Sequence, residues 1–145
     1  MVHGNRAKTV GILNELLIGK EREMSELKMN TVAMPDHLPD MPIDPDWIQE
    51  GEPTARGAIV TQSADKRVSS GYWQCSEGRF EWTFGWDEFA HVFEGKVAIE
   101  EDGGDSYALG PGDTVHFPAG LKTHWHVMQP VKKYFVIRTA DPLEL

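Results

Sequence analysis

The stretch KVAIEEDGGDSYALGPGDTVHF, residues 96–117, decides the fold class. It contains three short runs of strand-forming residues, separated by two glycine-containing turns, DGGD and GPGD. Glycine accepts the positive φ that tight hairpin turns require, and connections this short leave no room for helical crossovers. The stretch therefore predicts antiparallel strands joined by hairpins.

The same alternation of apolar and polar residues extends outward over residues 54–142. Further runs rich in Val, Ile, Phe, Tyr and Trp occur at 58–61, 71–74, 80–84, 89–93, 124–128 and 134–138. About nine strands at this spacing predict an all-β sandwich or barrel. A chain of 145 residues has room for one core of this kind.

Two segments precede the β-rich region. Residues 1–29 contain apolar side chains at roughly helical spacing, which predicts an amphipathic helical extension: Val10, Leu13, Leu17, Met24 and Leu27. Residues 30–53 hold five of the nine prolines, which predicts an extended arm. Because such a helix and arm suit the covering or exchange of a sheet edge, we expect a homodimer.

The composition excludes several classes of function. The 14 Lys and Arg against 23 Asp and Glu leave a net charge of −9, which opposes binding to nucleic-acid phosphates. No apolar run approaches the roughly 18 to 20 residues that span a bilayer. A single cysteine and the lack of a secretory signal favour a cytoplasmic location. We therefore expect neither nucleic acid nor a membrane as a partner.

Two motifs resemble those of the cupin superfamily. One is EFAHVFEG at 88–95 and the other is LGPGDTVHFPAG at 109–120. With GYWQC at 71–75 and GRFEW at 78–82, they resemble small single-domain cupins similar to (S)-ureidoglycine aminohydrolase. The resemblance implies a cupin jelly-roll barrel in residues 54–145.

The resemblance also implies a metal site. The family's ligand positions fall on Glu81, Glu88 and His124, with Thr123 as the alternative to His124, while Thr83 stands where the family has a histidine. Two carboxylates and one imidazole suit Mn, Fe or Zn. The alternative is a metal-free cavity in which the two carboxylates bond to neighbouring side chains.

Strand alternation leaves the direction of some of these side chains open. Phe80 and Trp82 share one face of their strand and Glu81 takes the other. An inward Glu81 would place a carboxylate in the barrel and would favour a functional pocket over an inert core. His116 is expected to face outward, because its apolar neighbours on both sides favour the interior.

The last strand carries two residues that the resemblance assigns to substrate. Tyr134 matches a substrate-contacting tyrosine, and Arg138 stands where the family has a lysine. A planar guanidinium binds carboxylates well. Together with Glu88, these residues form the predicted catalytic set. The alternative for Arg138 is a surface residue paired with an acidic side chain.

Three hypotheses for function follow. The first is a metal-dependent hydrolase or isomerase that acts on a small polar carboxylate or amide metabolite in the barrel cavity. The second is a metal-free cupin that binds or senses a small metabolite without catalysis. The third is an accessory domain whose helix and acidic surface mediate subunit contacts.

Overall fold

The computed structural model describes residues 27–145, which form an all-β fold. A 3-10 turn at Pro45–Trp47 precedes eight strands: β1 (Ile48–Glu50), β2 (Ala55–Gln62), β3 (Val68–Cys75), β4 (Gly78–Thr83), β5 (Asp87–Glu101), β6 (Ser106–Leu109), β7 (Thr114–Phe117) and β8 (Lys122–Arg138). Every strand pair is antiparallel. The predicted runs 89–93 and 96–100 are one strand, β5, and the runs 124–128 and 134–138 are one strand, β8.

The two long strands, β5 and β8, run through both halves of one curled sheet. The first part of β8 pairs with β4 and with the second part of β5. The second part of β8 pairs with β3 and with the first part of β5. The strands β1 and β2 end the main path of the sheet and are not neighbours in it, so the described chain forms a half-closed barrel.

A close crossing at Gly95 sets the bend between the two halves. The register of β5 against β8 shifts between Val92 and Val97. Gly95 has φ +97°, and a Cβ added there would lie 2.1 Å from the carbonyl oxygen of Pro130. Because only glycine combines this φ with so close a backbone approach, the position requires glycine.

Aromatic rings fill the interior between the two halves. The ring of Trp125 stacks on Phe80 at 5.6 Å and meets Trp73 edge-on at 5.7 Å. Phe84 stacks on Phe117 at 4.3 Å. All five side chains are buried. Strand alternation therefore turns Phe80 of β4 and Trp125 of β8 inward.

The proline-rich arm runs along the edge of β2. The Gly57 N–H donates to the Pro39 carbonyl at 3.0 Å, and the Met41 N–H donates to the Ala55 carbonyl at 2.9 Å. The arm thus occupies backbone groups that a bare edge strand would expose.

The helical extension predicted for residues 1–29 lies outside the described residues, except for 27–29. Those three residues are exposed and have no regular secondary structure. Over the part of the chain that the structure covers, no helix has the length and apolar character needed to cross a membrane.

Candidate functional site

One acid and one base share the apolar interior. Glu88 of β5 alternates in phase with the buried Ala90, and Lys133 of β8 lies between the buried Val131 and Phe135. Glu88 is 5% exposed and Lys133 is 6% exposed. Alternate residues of a strand face the same side. Glu88 and Lys133 therefore point inward together with the buried apolar residues two positions away from each of them.

The two side chains form an ion pair inside an aromatic cage. The Lys133 Nζ donates to Glu88 Oε2, and Glu88 Oε1 accepts from the Trp86 indole N–H at 3.4 Å. Four ring centroids lie at cation–π distance from Nζ: Trp73 at 4.8 Å, Trp125 at 5.2 Å, Phe117 at 5.7 Å and Phe135 at 6.0 Å. The site therefore combines one ammonium and one carboxylate with an apolar wall.

Stability alone does not explain this pair. Removing two charges from water costs several kcal/mol per ion, and replacing a buried pair by apolar residues of similar volume is often neutral or stabilising. Buried charge partners in an otherwise apolar environment are candidates for function on that ground. Glu88 and Lys133 are the only charged residues buried in the described chain.

The ammonium retains hydrogen-bonding capacity. A lysine ammonium has three N–H donors. Within residues 27–145, Glu88 is the one hydrogen-bond acceptor that Lys133 contacts, and the nearest aromatic ring centroids lie 4.8 and 5.2 Å from its Nζ. An acceptor atom of a small ligand could accept a hydrogen bond from one of the remaining N–H groups of Lys133.

Trp86 connects the ion pair to the end of the barrel. Its indole binds Glu88, while the residue as a whole is only half-buried. The Phe84 N–H donates to the Leu121 carbonyl at 2.9 Å, and the Gly120 N–H donates to the Phe84 carbonyl at 2.7 Å. These bonds tie the loop before β5 to the loop after β7. The half-buried Trp86 therefore links the buried Glu88 to this pair of loops.

Cys75 lies in the same interior but is not an active nucleophile. Burial raises the pKa of its thiol to about 12, and the positive charge of Lys133 opposes that rise only partly. The thiolate is the reactive form of cysteine. At neutral pH the residue is therefore a neutral, inert thiol.

The three predicted metal ligands are not brought together. Glu81 and His124 lie directly opposite each other on β4 and β8, on the outer face of the sheet. The inner face at this level belongs to the buried Phe80 and Trp125, so Glu81, whose direction the sequence left open, points outward. Of the predicted set, only Glu88 reaches the interior, where Lys133 already binds it.

The two outer ligands have other partners. The His124 Nε2 lies 2.9 Å from Asp102 Oδ1, and this hydrogen bond holds the pKa of Asp102 below its ordinary value. The carboxylate of Glu81 lies 3.7 Å from the Lys122 Nζ. Over the described range, no three His, Cys, Asp or Glu side chains are placed to hold a metal ion. The donors therefore do not fit the metal that the cupin resemblance implies.

Thr123, the alternative ligand, has a structural role. It is fully buried, its hydroxyl donates to the Trp82 carbonyl at 2.8 Å, and the same oxygen accepts from the Trp125 indole at 2.9 Å. These two bonds hold the indole in the core.

The predicted catalytic residues Tyr134 and Arg138 face outward. Tyr134 packs against Tyr72 with ring centroids 5.2 Å apart. Arg138 is exposed, and its Nη2 donates to Asp87 Oδ2 at 3.0 Å. The predicted catalytic set is therefore split between the two faces of the sheet, with Glu88 alone inside.

His116 is exposed on β7. Its Nε2 lies 3.3 Å from Asp87 Oδ1, and its ring stacks on Phe89 at 4.5 Å. The Ala119 N–H donates to the same Asp87 oxygen at 3.2 Å. On the outer surface, Asp87 thus binds His116 of β7, Ala119 of the loop after β7 and Arg138 of β8.

We expect Arg138→Gln to raise the pKa of Asp87. Hydrogen bonds from Arg138, then His116, then the Ala119 N–H hold this pKa below its ordinary value. A depressed folded-state pKa contributes stability above the unfolded pKa of about 3.9, and this contribution is lost as pH falls through the folded value. Carboxyl NMR titration checks the shift. Lys132→Gln, on the same face, serves as the control, and an unmoved Asp87 titration in Arg138→Gln contradicts the assignment.

Sequence reasoning missed Lys133 as a site residue, although the signal was present. In β8, Lys133 occupies the phase of Val131, Phe135 and Ile137, all of which are buried. A lysine at one of the alternating apolar positions of a strand indicates either a strand at the edge of the sheet or a buried charge. Its acidic partner is three strands earlier in the chain, which strand alternation alone cannot identify.

Comparison with known families identifies the family of this chain. A model described as the EutQ-like cupin domain matches residues 62–135, just over half of the chain. The chain therefore belongs to the EutQ-like cupin family. Among curated proteins, none matches it.

Solved structures share the fold. The EutQ protein of Clostridium difficile is 23% identical with a TM-score of 0.55, over 61% of this chain and 71% of that one. A DUF861 family protein of Pseudomonas syringae pv. tomato is 21% identical with a TM-score of 0.64, over 70% and 44%. An ethanolamine utilization protein Q of Salmonella typhimurium is 17% identical with a TM-score of 0.52, over 76% and 100%. The narrower resemblance to (S)-ureidoglycine aminohydrolase stays a prediction.

Proposed function

We propose that this EutQ-like cupin binds a small metabolite carrying an amide or carboxylate group in its barrel interior, without a metal, at the Lys133–Glu88 pair. The observation that carries the proposal is the Lys133 ammonium, which is buried among aromatic rings and has one hydrogen-bond acceptor in the described chain. A ligand acceptor atom would use the donors that Glu88 leaves free.

An amide fits the pair better than a simple anion. A carboxamide presents a carbonyl acceptor and an N–H donor on one carbon, which complements the Lys133 donor and the Glu88 acceptor. It also adds no net charge to the apolar interior, where an uncompensated charge is costly. A carboxylic acid bound with its proton offers the same donor and acceptor pattern.

The aromatic cage supplies the apolar part of the site. Small-molecule sites are mostly lined by apolar and aromatic side chains, with a few polar groups that fix the ligand's orientation. Trp73, Phe117, Trp125 and Phe135 provide such a lining around one ion pair. Because four ring centroids lie within 6.0 Å of the Lys133 Nζ, we expect a ligand of only a few non-hydrogen atoms.

The metal-dependent hydrolase or isomerase, the first hypothesis from the sequence, has less support. Two of its three ligands, Glu81 and His124, lie across the sheet from Glu88. The homodimer, the cytoplasmic location and the absence of nucleic-acid partners stay predictions.

Titration calorimetry with lactamide tests the proposal on full-length protein purified without a histidine tag. We expect binding that EDTA leaves unchanged. Lys133→Met removes a hydrogen bond to a charged group, worth about 1.5 to 3 kcal/mol, and should weaken binding by about 10- to 100-fold.

Lys132→Met is the matched control, because Lys132 is the adjacent lysine and pairs with Glu94 on the outer face. We expect this variant to bind lactamide like the wild type. An absence of binding, a loss of binding in EDTA, or equal weakening by the two lysine variants contradicts the proposal.

A further inference from the structure

The Lys133–Glu88 pair places an amine beside a group that can accept its proton, inside an apolar cage. A lysine ammonium carries no free electron pair and becomes a nucleophile only after it loses a proton. Glu88 Oε2 is hydrogen-bonded directly to the Lys133 Nζ, so no water or third residue is needed for that transfer. Desolvation in an apolar pocket is an established way to activate a lysine amine.

We propose that Lys133 is a catalytic amine that forms an imine with an aldehyde or ketone carbonyl adjacent to the ligand's amide or carboxylate group. This inference rests on the proposed function, because Glu88 must hold the neighbouring amide while the amine reaches the carbonyl carbon. It adds a reaction to the site and defines the substrate class as small 2-oxo amides and 2-oxo acids.

The step balances without an oxidant or a metal. Glu88 Oε2 takes a proton from the Lys133 Nζ, and the freed electron pair forms the N–C bond while the carbonyl π electrons move to oxygen. Glu88 then returns its proton to that oxygen. The C–O bond breaks, and the oxygen leaves as water with the second proton derived from nitrogen. The products are one protonated imine, which keeps the third N–H proton of the ammonium, and one water molecule, and Glu88 is again a carboxylate.

The surroundings favour the imine. The rings of Trp73 and Trp125 lie near the Nζ and restrict the access of bulk water that would hydrolyse the C=N bond. Trp86 contacts the carboxylate through its indole N–H and is itself half-buried, next to the exposed Gly85. A small carbonyl compound would enter past this side chain.

Lys132 shows why position matters more than residue type. It neighbours Lys133 in sequence and also has an acidic partner, with the Nζ 3.5 Å from Glu94 Oε1. That pair lies on the outer face, with Lys132 39% and Glu94 60% exposed, so water solvates both groups. Among the described residues, the exposed Lys132–Glu94 pair can therefore be compared directly with the enclosed Lys133–Glu88 pair.

Borohydride trapping with pyruvamide tests the inference on the full-length protein. Sodium borohydride reduces an imine to a stable secondary amine, which intact-mass measurement and peptide mapping detect. We expect one adduct, on Lys133, absent in Lys133→Met and unchanged in Lys132→Met. Glu88→Gln should slow adduct formation by about 100-fold or more, since general acid–base groups contribute about 10²- to 10⁴-fold.

Lactamide separates this inference from the proposed function. It differs from pyruvamide only in carrying a hydroxyl in place of the ketone, so it can bind but cannot form an imine. Lactamide binding without a pyruvamide adduct overturns the imine and leaves the binding site intact. Failure of lactamide to bind overturns the proposed function itself. Adducts spread over Lys132 and other surface lysines also overturn the imine, because they show ordinary solvent-exposed amine chemistry.

Discussion

Replacing Glu88 with alanine lowers the free energy of unfolding by about 3 to 5 kcal/mol, because the variant leaves the Lys133 ammonium buried without its counter-ion. Urea unfolding followed by tryptophan fluorescence measures the loss. Glu94→Ala breaks the corresponding outer pair with Lys132 and should cost less than about 1 kcal/mol, the usual range for exposed pairs.

A double variant distinguishes the broken pair from a simple packing defect. Glu88→Leu with Lys133→Met replaces both charges by apolar side chains, and it should recover most of the stability that Glu88→Ala loses. Equal losses for Glu88→Ala and Glu94→Ala, or no recovery in the double variant, would show that the interior pair is not the enclosed ion pair described here.

Replacing Gly95 with alanine destabilises the protein by about 2 to 5 kcal/mol. The positive φ of this residue costs an alanine about 1 to 2 kcal/mol, and forcing a methyl group against the Pro130 carbonyl adds about 1 to 3 kcal/mol. Thermal or urea unfolding gives the change.

Gly112→Ala isolates the steric part of this cost. Gly112 has nearly the same φ, +95°, but a Cβ there meets nothing within 4 Å. We expect this variant to lose only the conformational part, about 1 to 2 kcal/mol. If both alanine variants lose the same amount, the close crossing of β5 and β8 does not set the bend.

Most strands could be predicted from the sequence because alternating apolar residues and nearby turn residues determine where a strand begins and ends. The turns at 102–105 and 110–113, flanked by alternating apolar residues, gave β5, β6 and β7 close to their observed positions. The continuity of β5 and β8 was not predictable in the same way. Gly95 and Pro130 are residues that commonly interrupt strands. Only the pairing of β5 with β8 shows that each strand continues through its interrupting residue.

The candidate site was predicted only in part, because alternation gives two faces without saying which one is buried. In β4 the apolar phase of Phe80 lies inside, and this places Glu81 and His124 outside. The family resemblance favoured the opposite direction for those two residues. Glu88, which the family resemblance implied only as a metal ligand, lies in the interior because it alternates in phase with the buried residues of β5.

The central claim is that the enclosed Lys133 ammonium receives the ligand. NMR of protein carrying ¹³C at the lysine Cε tests it most directly, with the Lys133 signal assigned by its absence in Lys133→Met. On titration with lactamide, the account predicts a saturable shift of the Lys133 signal and a constant Lys132 signal. A Lys133 signal that stays fixed, or lysine signals that all move together, would contradict it.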